Sequence, residues 1–229
     1  HEGNARMYTD YMLMTAAKNV TRDVSLVFDF IERPYSPVRF KELLVSPNEM
    51  KQKFIRLINE EIKNKQAGKP AYILIKINHI TDPVMVKKLY EASSHGVRID
   101  LLVRGNCSLI TGVPGVSDTI RINGIIDRYL EHSRIFIFAN GGDEKMFIGS
   151  ADWMPRNLDN RVEVIAPVYD PEIKADLKRV VEYGLKDTLQ GRVVDGTGEN
   201  RPWISEDKTA FRSQEELYKY YLNENRIKD

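Results

Sequence analysis

Apolar positions in the first third of the chain follow a strand period and then a helix period. Residues 6–16 alternate loosely between apolar and polar, which predicts a strand. The next segment spaces its apolar residues three or four positions apart, at Val20, Val24, Val27, Phe28 and Ile31. This spacing predicts a helix over residues 19–31, because such residues share one face. Pro34, Ser36 and Pro37 are expected to end this strand and helix unit.

A second helix is predicted after residue 46. Ser46 and Glu49 have the spacing of a capping box, and Pro47 stands where a first helical residue would be. Apolar residues then form one stripe, at Phe54, Ile55, Ile58 and Ile62. Gly68 is expected to lie close to the end of this helix.

The middle of the chain has the pattern of a strand, a helix and a parallel strand. Residues 71–77 form an apolar run, Asp82 and Pro83 can start a helix that Gly96 closes, and residues 98–103 form another apolar run. This order predicts a βαβ unit. A long loop is expected over residues 105–115, which include three glycines and a proline.

The last part of the chain predicts a hairpin followed by strands and helices. Residues 140–143, Asn-Gly-Gly-Asp, supply the positive φ angles of a hairpin turn, and residues 145–148 return as its second strand. A strand over 162–168, a helix over 171–185 and a terminal helix over 215–222 follow. The predicted fold class is therefore α/β, with a mixed sheet flanked by helices.

Composition narrows the classes of function. The 229 residues are 42% hydrophobic and 29% charged, which is ordinary for a globular protein. The formal net charge is only +1, so an anion site needs local clustering of cations, and nonspecific nucleic-acid binding is not expected. One cysteine and four scattered histidines give neither a disulfide framework nor a usual zinc pattern. A reducing, cytoplasmic setting is expected.

Two predicted parallel strands end in polar residues that suit anion binding. Lys76 and Asn78 lie at the end of one strand, and Arg104 directly follows the other. In open α/β sheets, ligands bind beyond the carboxyl ends of the strands. These three side chains are therefore expected at one edge of the sheet. Each could instead be a solvent-exposed or loop-capping group.

The segment 129–161 concentrates further groups of the same chemistry. In an extended strand, His132 and Arg134 point one way, and Ile135 and Ile137 point to the core on the other side. The loop after the hairpin adds four polar or charged residues, Ser150, Asp152, Arg156 and Arg161. Guanidinium groups bind phosphate oxygens in a fixed fork, so this cluster would suit a phosphoryl group.

Several blocks of this sequence resemble the carboxy-terminal core of the polyphosphate kinase family, whose domains are relatives of phospholipase D. The blocks are A-R-M-Y-T-D-Y at 5–11, I-K-I-N at 75–78, L-L-V-R-G-N-C-S-L at 101–109, G-V-P-G-V-S-D at 112–118, E-H-S-R at 131–134 and G-S-A-D-W-M-P-R-N-L at 149–158. The resemblance covers nearly the whole chain. It implies a phospholipase D-like mixed sheet over 41–229, preceded at 1–40 by the last strand and helix of a similar domain.

The resemblance also implies an activity and a set of site residues. A member of this family moves the γ-phosphate of ATP reversibly to inorganic polyphosphate through a phosphohistidine, which would lie upstream of this segment in a longer polypeptide. The isolated chain is then expected to be inactive. Tyr8, Arg104 and His132 are implied as ATP contacts, and His132 also as a catalytic group. Lys76, Asn78, Arg134, Ser150, Asp152, Arg156 and Arg161 are weaker candidates for contacts to phosphate or polyphosphate.

The family further implies ATP or ADP and Mg²⁺, with no metal ligand assigned in this chain. Its implied partners are polyphosphate, the remaining domains of the same polypeptide and further copies in a homo-oligomer, with membrane association through the complete enzyme.

Two other functions stay open from the residues. The phospholipase D motif has His-x-Lys with an acidic residue five positions further on, but this chain has Arg134 and Ala139 at those positions. The motif is therefore incomplete, which disfavours a phosphodiesterase. A noncatalytic module that binds polyanions is the other alternative.

Overall fold

The computed structural model describes residues 7–33, 37–205 and 209–226. Its strands are β1 (Tyr8–Thr9), β2 (Leu44–Ser46), β3 (Tyr72–Ile77), β4 (Arg98–Val103), β5 (Ile120–Ile125), β6 (Leu130–Glu131), β7 (Ile135–Phe138), β8 (Lys145–Gly149), β9 (Glu163–Val168) and β10 (Gly191–Val193). Its α-helices are α1 (Lys18–Glu32), α2 (Met50–Gln66), α3 (Pro83–Ser94), α4 (Pro171–Lys186) and α5 (Ser213–Arg226).

Eight of these strands form one mixed sheet in the order β10-β5-β4-β3-β7-β8-β9-β2. The neighbours β3, β4 and β5 run parallel, and every other neighbouring pair in this sheet is antiparallel. This arrangement confirms the predicted mixed sheet flanked by helices. The predicted βαβ unit is confirmed as β3, α3 and β4.

Helices cover both faces of the sheet, so all four residues of the central strand β7 are buried. Phe136 and Phe138 face the layer of α2 and α3, where they pack with Phe54 and Trp153. Ile135 and the intervening Ile137 lie on the other side of the sheet, in a core cluster with residues of α4. Burial on both faces is typical of a strand whose sequence is continuously apolar. The prediction that one face only of this strand is the core side was therefore incomplete.

The hairpin turn forms as predicted, with positive φ angles at Asn140, Gly141 and Gly142. The first strand of the hairpin, β7, begins at Ile135. The strand predicted to contain His132 therefore starts three residues after that histidine. His132 and Arg134 still lie side by side, because the Nη1 of Arg134 approaches the imidazole ring.

The amino-terminal segment differs from its prediction. A strand was predicted over 6–16, and residue 6 lies outside the described part. Only β1 forms within this range, and it pairs with β6 and not with the large sheet. Helix α1 is confirmed, and its buried face packs on residues around β2. The carboxylate of Asp23 accepts the backbone N–H groups of Glu42 and Leu43 at 2.6 and 3.1 Å. The domain boundary near residue 40 stays a prediction, and the predicted breaks at Pro34 and Ser36 are outside the described residues.

The capping box predicted at Ser46 was wrong. Ser46 is the last residue of β2, and its hydroxyl donates to the carbonyls of Asn157 and Arg161 at 2.5 and 2.6 Å. Helix α2 starts at Met50 without a side-chain cap. The strands β2, β5 and β10 were not predicted from the sequence.

None of the described helices is long and apolar enough to cross a membrane.

Candidate active site

A cleft of about 700 Å³ lies at the edge of the sheet where β3, β4 and β8 end. Strands β7 and β9 run antiparallel to their neighbours, so their first residues meet the last residues of β3 and β8 at this edge. Strand direction therefore brings together polar residues that are far apart in sequence. This is the location where open α/β sheets bind ligands.

The cleft is lined by eight of the residues that the sequence singled out: Asn78, Arg104, His132, Arg134, Ser150, Asp152, Arg156 and Arg161. Tyr8 and Lys76 are not part of this lining. The ring of Tyr8 packs edge-on against the ring of His132, with 5.3 Å between the centroids. Lys76 is buried and forms an ion pair with Glu131 at 3.1 Å. The contact of Lys76 with phosphate stays a prediction that this geometry does not favour.

His132 lies between a carboxylate and a guanidinium. Its Nδ1 is 3.2 Å from Oδ2 of Asp10 and 3.1 Å from Nη1 of Arg134. Asp10 is brought to this position by the pairing of β1 with β6, since the N–H of His132 donates to the carbonyl of Thr9 at 2.9 Å. A ring with a proton on Nδ1 donates it to Asp10, whereas a ring with a free Nδ1 lone pair accepts from Arg134. The tautomer of the ring thus selects its partner at Nδ1.

Arg134 and Asp152 neutralise each other. Two guanidinium nitrogens lie 3.2 Å from the two carboxylate oxygens, and both side chains are at most 10% exposed. Asp152 also accepts the backbone N–H groups of Asn78 and His79 at 3.0 and 3.3 Å. This pair therefore fixes the backbone after β3, and Arg134 contributes less to binding an anion than its charge suggests.

Three other arginines of the cleft have no carboxylate partner in the described part of the chain. Arg104 donates from Nε to the side-chain oxygen of Asn78 at 2.9 Å, which leaves its terminal nitrogens available. Arg156 lies in a short π-helical turn, Arg156–Asn160, and Arg161 follows it directly. Both side chains are exposed. Cations that are not neutralised and that share one cleft create a local positive potential despite the low net charge.

Ser150 is already engaged by a neighbouring carboxylate. Its hydroxyl donates a short hydrogen bond to Glu163, and Asn157 donates from Nδ2 to the other oxygen of that carboxylate at 2.6 Å. Glu163 lines the cleft but was not singled out from the sequence. It holds the loop after β8 on the start of β9, and no local motif indicates this role.

Sequence reasoning also missed Asp10, Tyr11 and His79, which all line the cleft. Asp10 and Tyr11 adjoin Tyr8 in the block A-R-M-Y-T-D-Y, so that block was a usable signal. Burial raises the pKa of Tyr11 to about 12, and its hydroxyl lies 3.3 Å from that of Tyr221 on α5. Tyr11 is therefore a neutral phenol at physiological pH. It connects the segment after β1 to the terminal helix.

No group of three or more His, Cys, Asp or Glu side chains among the described residues could hold a metal ion. In the cleft, Asp152 is paired with Arg134, and Glu163 accepts from Ser150 and Asn157. No chemical step is therefore assigned to a metal bound by these residues.

Known proteins match nearly the whole chain. Residues 43–214 match the family described as polyphosphate kinase C-terminal domain 2. The chain is 44% identical over 220 residues to the polyphosphate kinase of Escherichia coli K12, which is 96% of this chain and 32% of that protein. It is also 44% identical over 223 residues to the polyphosphate kinase of Vibrio parahaemolyticus, covering 97% and 32% of the two chains. This chain thus spans about a third of the length of the curated relatives it matches.

A solved structure has the same fold. The crystal structure of polyphosphate kinase from Porphyromonas gingivalis superposes with a TM-score of 0.88 at 39% identity, over 93% of this chain and 33% of that chain. A phospholipase D family member, Nuc from Salmonella typhimurium, gives a TM-score of 0.47 at 14% identity, which is too low to support an argument about this chain.

Proposed function

This chain belongs to the polyphosphate kinase family, and on that basis we propose that its cleft binds phosphate groups during reversible transfer of the γ-phosphate of ATP to inorganic polyphosphate. One observation supports this proposal most directly. His132 meets Arg104, Arg156 and Arg161 in one cleft at the carboxyl edge of the sheet, and none of these arginines has a carboxylate partner among the described residues.

The arginines suit the charge that develops during phosphoryl transfer. In the transition state, negative charge spreads over the equatorial oxygens of the transferring group, and catalysis depends on positioning and on preorganised cations. Arg104 is held by Asn78 at the end of β4, so its orientation is fixed before the substrate arrives. Arg156 and Arg161 belong to the segment between β8 and β9, line the same cleft and would contact further phosphates of ATP or of the polymer.

His132 suits a role in proton transfer or in contact with the transferring group. Its side chain is 35% exposed, with Asp10 at Nδ1 and Arg134 within reach of both ring nitrogens. When a proton on Nδ1 is donated to Asp10, the lone pair of Nε2, 3.3 Å from Nη1 of Arg134, is the one that can accept a proton. Tyr8, which packs on this ring, is the proposed neighbour of the nucleotide.

The attacking group is proposed to lie outside this chain's cleft. A histidine elsewhere in the complete polypeptide attacks the γ-phosphorus in line, a phosphorus–nitrogen bond forms, and the bond to the leaving oxygen of ADP breaks. A terminal oxygen of polyphosphate then displaces the histidine. The isolated chain would therefore bind phosphates but not turn over ATP.

Three further features of the complete enzyme are part of this proposal. Mg²⁺ would accompany ATP, with no ligand assigned to the described residues. The polypeptide would form a homo-oligomer, and it would work in the cytoplasm with possible attachment to a membrane. These features are expected from the family and not from the cleft.

The test uses the full-length polypeptide with γ-labelled ATP and magnesium. Acid-insoluble polymer and acid-labile phosphoenzyme are followed for the wild type and for His132→Ala. Polymer and phosphoenzyme in the wild type, with loss of polymer in the variant, support the proposal. A wild type that makes neither product contradicts it. Hydrolysis of a chromogenic phosphodiester would then favour a phosphodiesterase, and salt-sensitive binding of polyphosphate without any turnover would favour a binding module.

A further inference from the structure

His79 is a second histidine that lines the cleft. It lies two residues after the end of β3 and is partly buried. Its Nδ1 accepts a hydrogen bond from the backbone N–H of Asn106 at 2.9 Å. Because that N–H is the donor, Nδ1 has no proton of its own, and the neutral ring must have its proton on Nε2. The backbone of Asn106 thus fixes the tautomer of this ring.

The imidazole ring of His79 packs closely against the backbone at Gly105. A Cβ atom added at Gly105 would lie 2.4 Å from Cε1 and 2.7 Å from Nδ1 of His79. The Nδ1–Cε1 edge of the ring therefore lies against the Gly105–Asn106 backbone, and His79 is one of the residues that line the cleft. No hydrogen-bond partner for the Nε2 of this ring occurs among the residues that the structure describes.

The position of the ring is fixed by its own backbone as well. The N–H of His79 donates to Asp152 at 3.3 Å, and its carbonyl accepts the N–H of Trp153 at 3.0 Å. His79 is therefore held by the segment after β4 and by the segment after β8. A group with a fixed backbone, a fixed tautomer and an open donor has little conformational freedom to lose when a ligand binds.

We propose that His79 binds a phosphate oxygen of the substrate through its Nε2–H, as a neutral hydrogen-bond donor beside the arginines of the cleft. This inference rests on the proposed function, because it assumes that phosphates occupy the cleft. A phosphate oxygen only accepts hydrogen bonds, so it requires a donor such as this Nε2–H. His79 adds direction to the contact, whereas Arg104 supplies charge.

Two amide side chains separate this role from a purely structural one. Gln at position 79 can place its amide N–H₂ close to the position of Nε2, so it keeps the donor. Asn places its amide oxygen close to the position of Nδ1, so it keeps the acceptor for the N–H of Asn106. A binding role is therefore rescued by His79→Gln, and a structural role by His79→Asn.

The experiment uses the full-length polypeptide with four variants: His79→Gln, His79→Asn, His79→Ala and His95→Gln. His95 is the matched control, since it is an exposed histidine at the end of α3, bound to the carbonyl of Glu91 and away from the cleft. Calorimetry with inorganic tripolyphosphate gives Kd, and polymer synthesis gives kcat/KM. We expect the Ala and Asn variants to lose affinity and kcat/KM by about 10- to 100-fold, the range of a hydrogen bond to a charged group. The Gln and His95 variants should stay within about threefold.

A second variant tests the same contact without changing His79. Gly105→Ala adds the methyl group that would collide with the ring, so it should weaken tripolyphosphate binding as much as His79→Ala does. Equal affinity in wild type, His79→Ala and Gly105→Ala would overturn the inference, and so would recovery by Asn but not by Gln. Failure of the proposed function is seen separately: a wild type that makes no polymer contradicts the kinase assignment, while the tripolyphosphate affinities still decide the role of His79.

Discussion

The carboxylate of Asp10 lies 3.2 Å from Nδ1 of His132, although 122 positions separate the two residues in the chain. The contact exists because β1 and β6 pair in parallel and place the residue after Thr9 beside the one after Glu131. A carboxylate that accepts a hydrogen bond from a histidine ring nitrogen fixes the tautomer of the ring. The local sequence has Ala139 where the phospholipase D motif has an acidic residue. Asp10, from a distant part of the chain, thus provides a carboxylate beside His132.

Asp10→Asn should lower the rate of polymer synthesis of the full-length polypeptide by about 10- to 100-fold, within the range that general acid–base contributions cover. The amide oxygen is an uncharged and therefore weaker acceptor for the Nδ1–H group of His132, so the tautomer of the ring is held less firmly. Steady-state kinetics at several pH values measure this effect as a lower kcat and an altered pH profile. Asp29→Asn, an exposed position on α1, is the matched control, and an equal loss in both variants would point to a general effect of charge.

Arg104→Ala should reduce kcat/KM for polymer synthesis by about 10²- to 10³-fold, as the removal of one preorganised donor to transition-state charge usually does. Arg104→Lys should recover little of this, because an ammonium cannot reproduce the planar fork that Asn78 orients. Arg56→Ala, on the exposed side of α2, serves as the comparison in the same assay. Turnover of the Arg104→Ala variant close to that of the wild type would contradict the assignment of the cleft.

Asp152→Ala should lower the free energy of unfolding by about 3–5 kcal/mol, the usual effect of removing one partner of a buried ion pair. The change leaves Arg134 without its carboxylate and leaves the N–H groups of Asn78 and His79 without an acceptor. Denaturant unfolding of the chain measures it. Asp143→Ala at the exposed hairpin turn should change stability by less than about 0.5 kcal/mol, and a similar loss at both positions would rule out the structural role of the pair.

Gly149→Ala should also destabilise the fold, by about 1–3 kcal/mol. A Cβ at this position would lie 2.2 Å from the carbonyl oxygen of Val164 and 2.6 Å from Cα of Ile165, so the backbones of β8 and β9 would have to separate. The matched control is Gly68→Ala, where the added atom meets open space and only the positive φ of 70° is unfavourable. Thermal unfolding of both variants gives the comparison, and an unchanged Tm for Gly149→Ala would show that the strands adjust freely.

Asp23 should make stability depend on pH in the acidic range. Burial raises the pKa of this carboxyl, but the N–H groups of Glu42 and Leu43 and the side chain of Arg22 outweigh burial and hold the pKa below its ordinary value. A group with a lower pKa in the folded state stabilises the fold above its unfolded pKa, and this contribution is lost as the pH falls. The difference in unfolding free energy between wild type and Asp23→Asn should thus be constant above about pH 5 and shrink below about pH 4. A difference that stays constant down to pH 2 would contradict this.

Helices and long strands could be predicted from the sequence because their signals are local. The apolar spacing of α1 and the start of α3 at Asp82 and Pro83 both appear in the structure within a residue or two. Asp82 caps α3 by accepting the N–H groups of Val84 and Met85, each at 3.0 Å. The same reasoning failed at Ser46, where a strand residue has the spacing of a cap. The competing contact, to the carbonyls of Asn157 and Arg161, comes from more than 100 positions away.

For the cleft, the sequence determined which chemical groups are present, and the tertiary structure decided which of them can bind an anion. His132, Arg104, Arg156 and Arg161 could be singled out because cations at strand ends and near a histidine suit phosphate. Sequence could not show that Lys76 pairs with Glu131 or that Arg134 pairs with Asp152, since each partner comes from another strand or loop. It also could not place Asp10 beside His132 or turn His79 into the cleft. Charge is a property of a residue, but its availability depends on distances between segments that only the packed sheet sets.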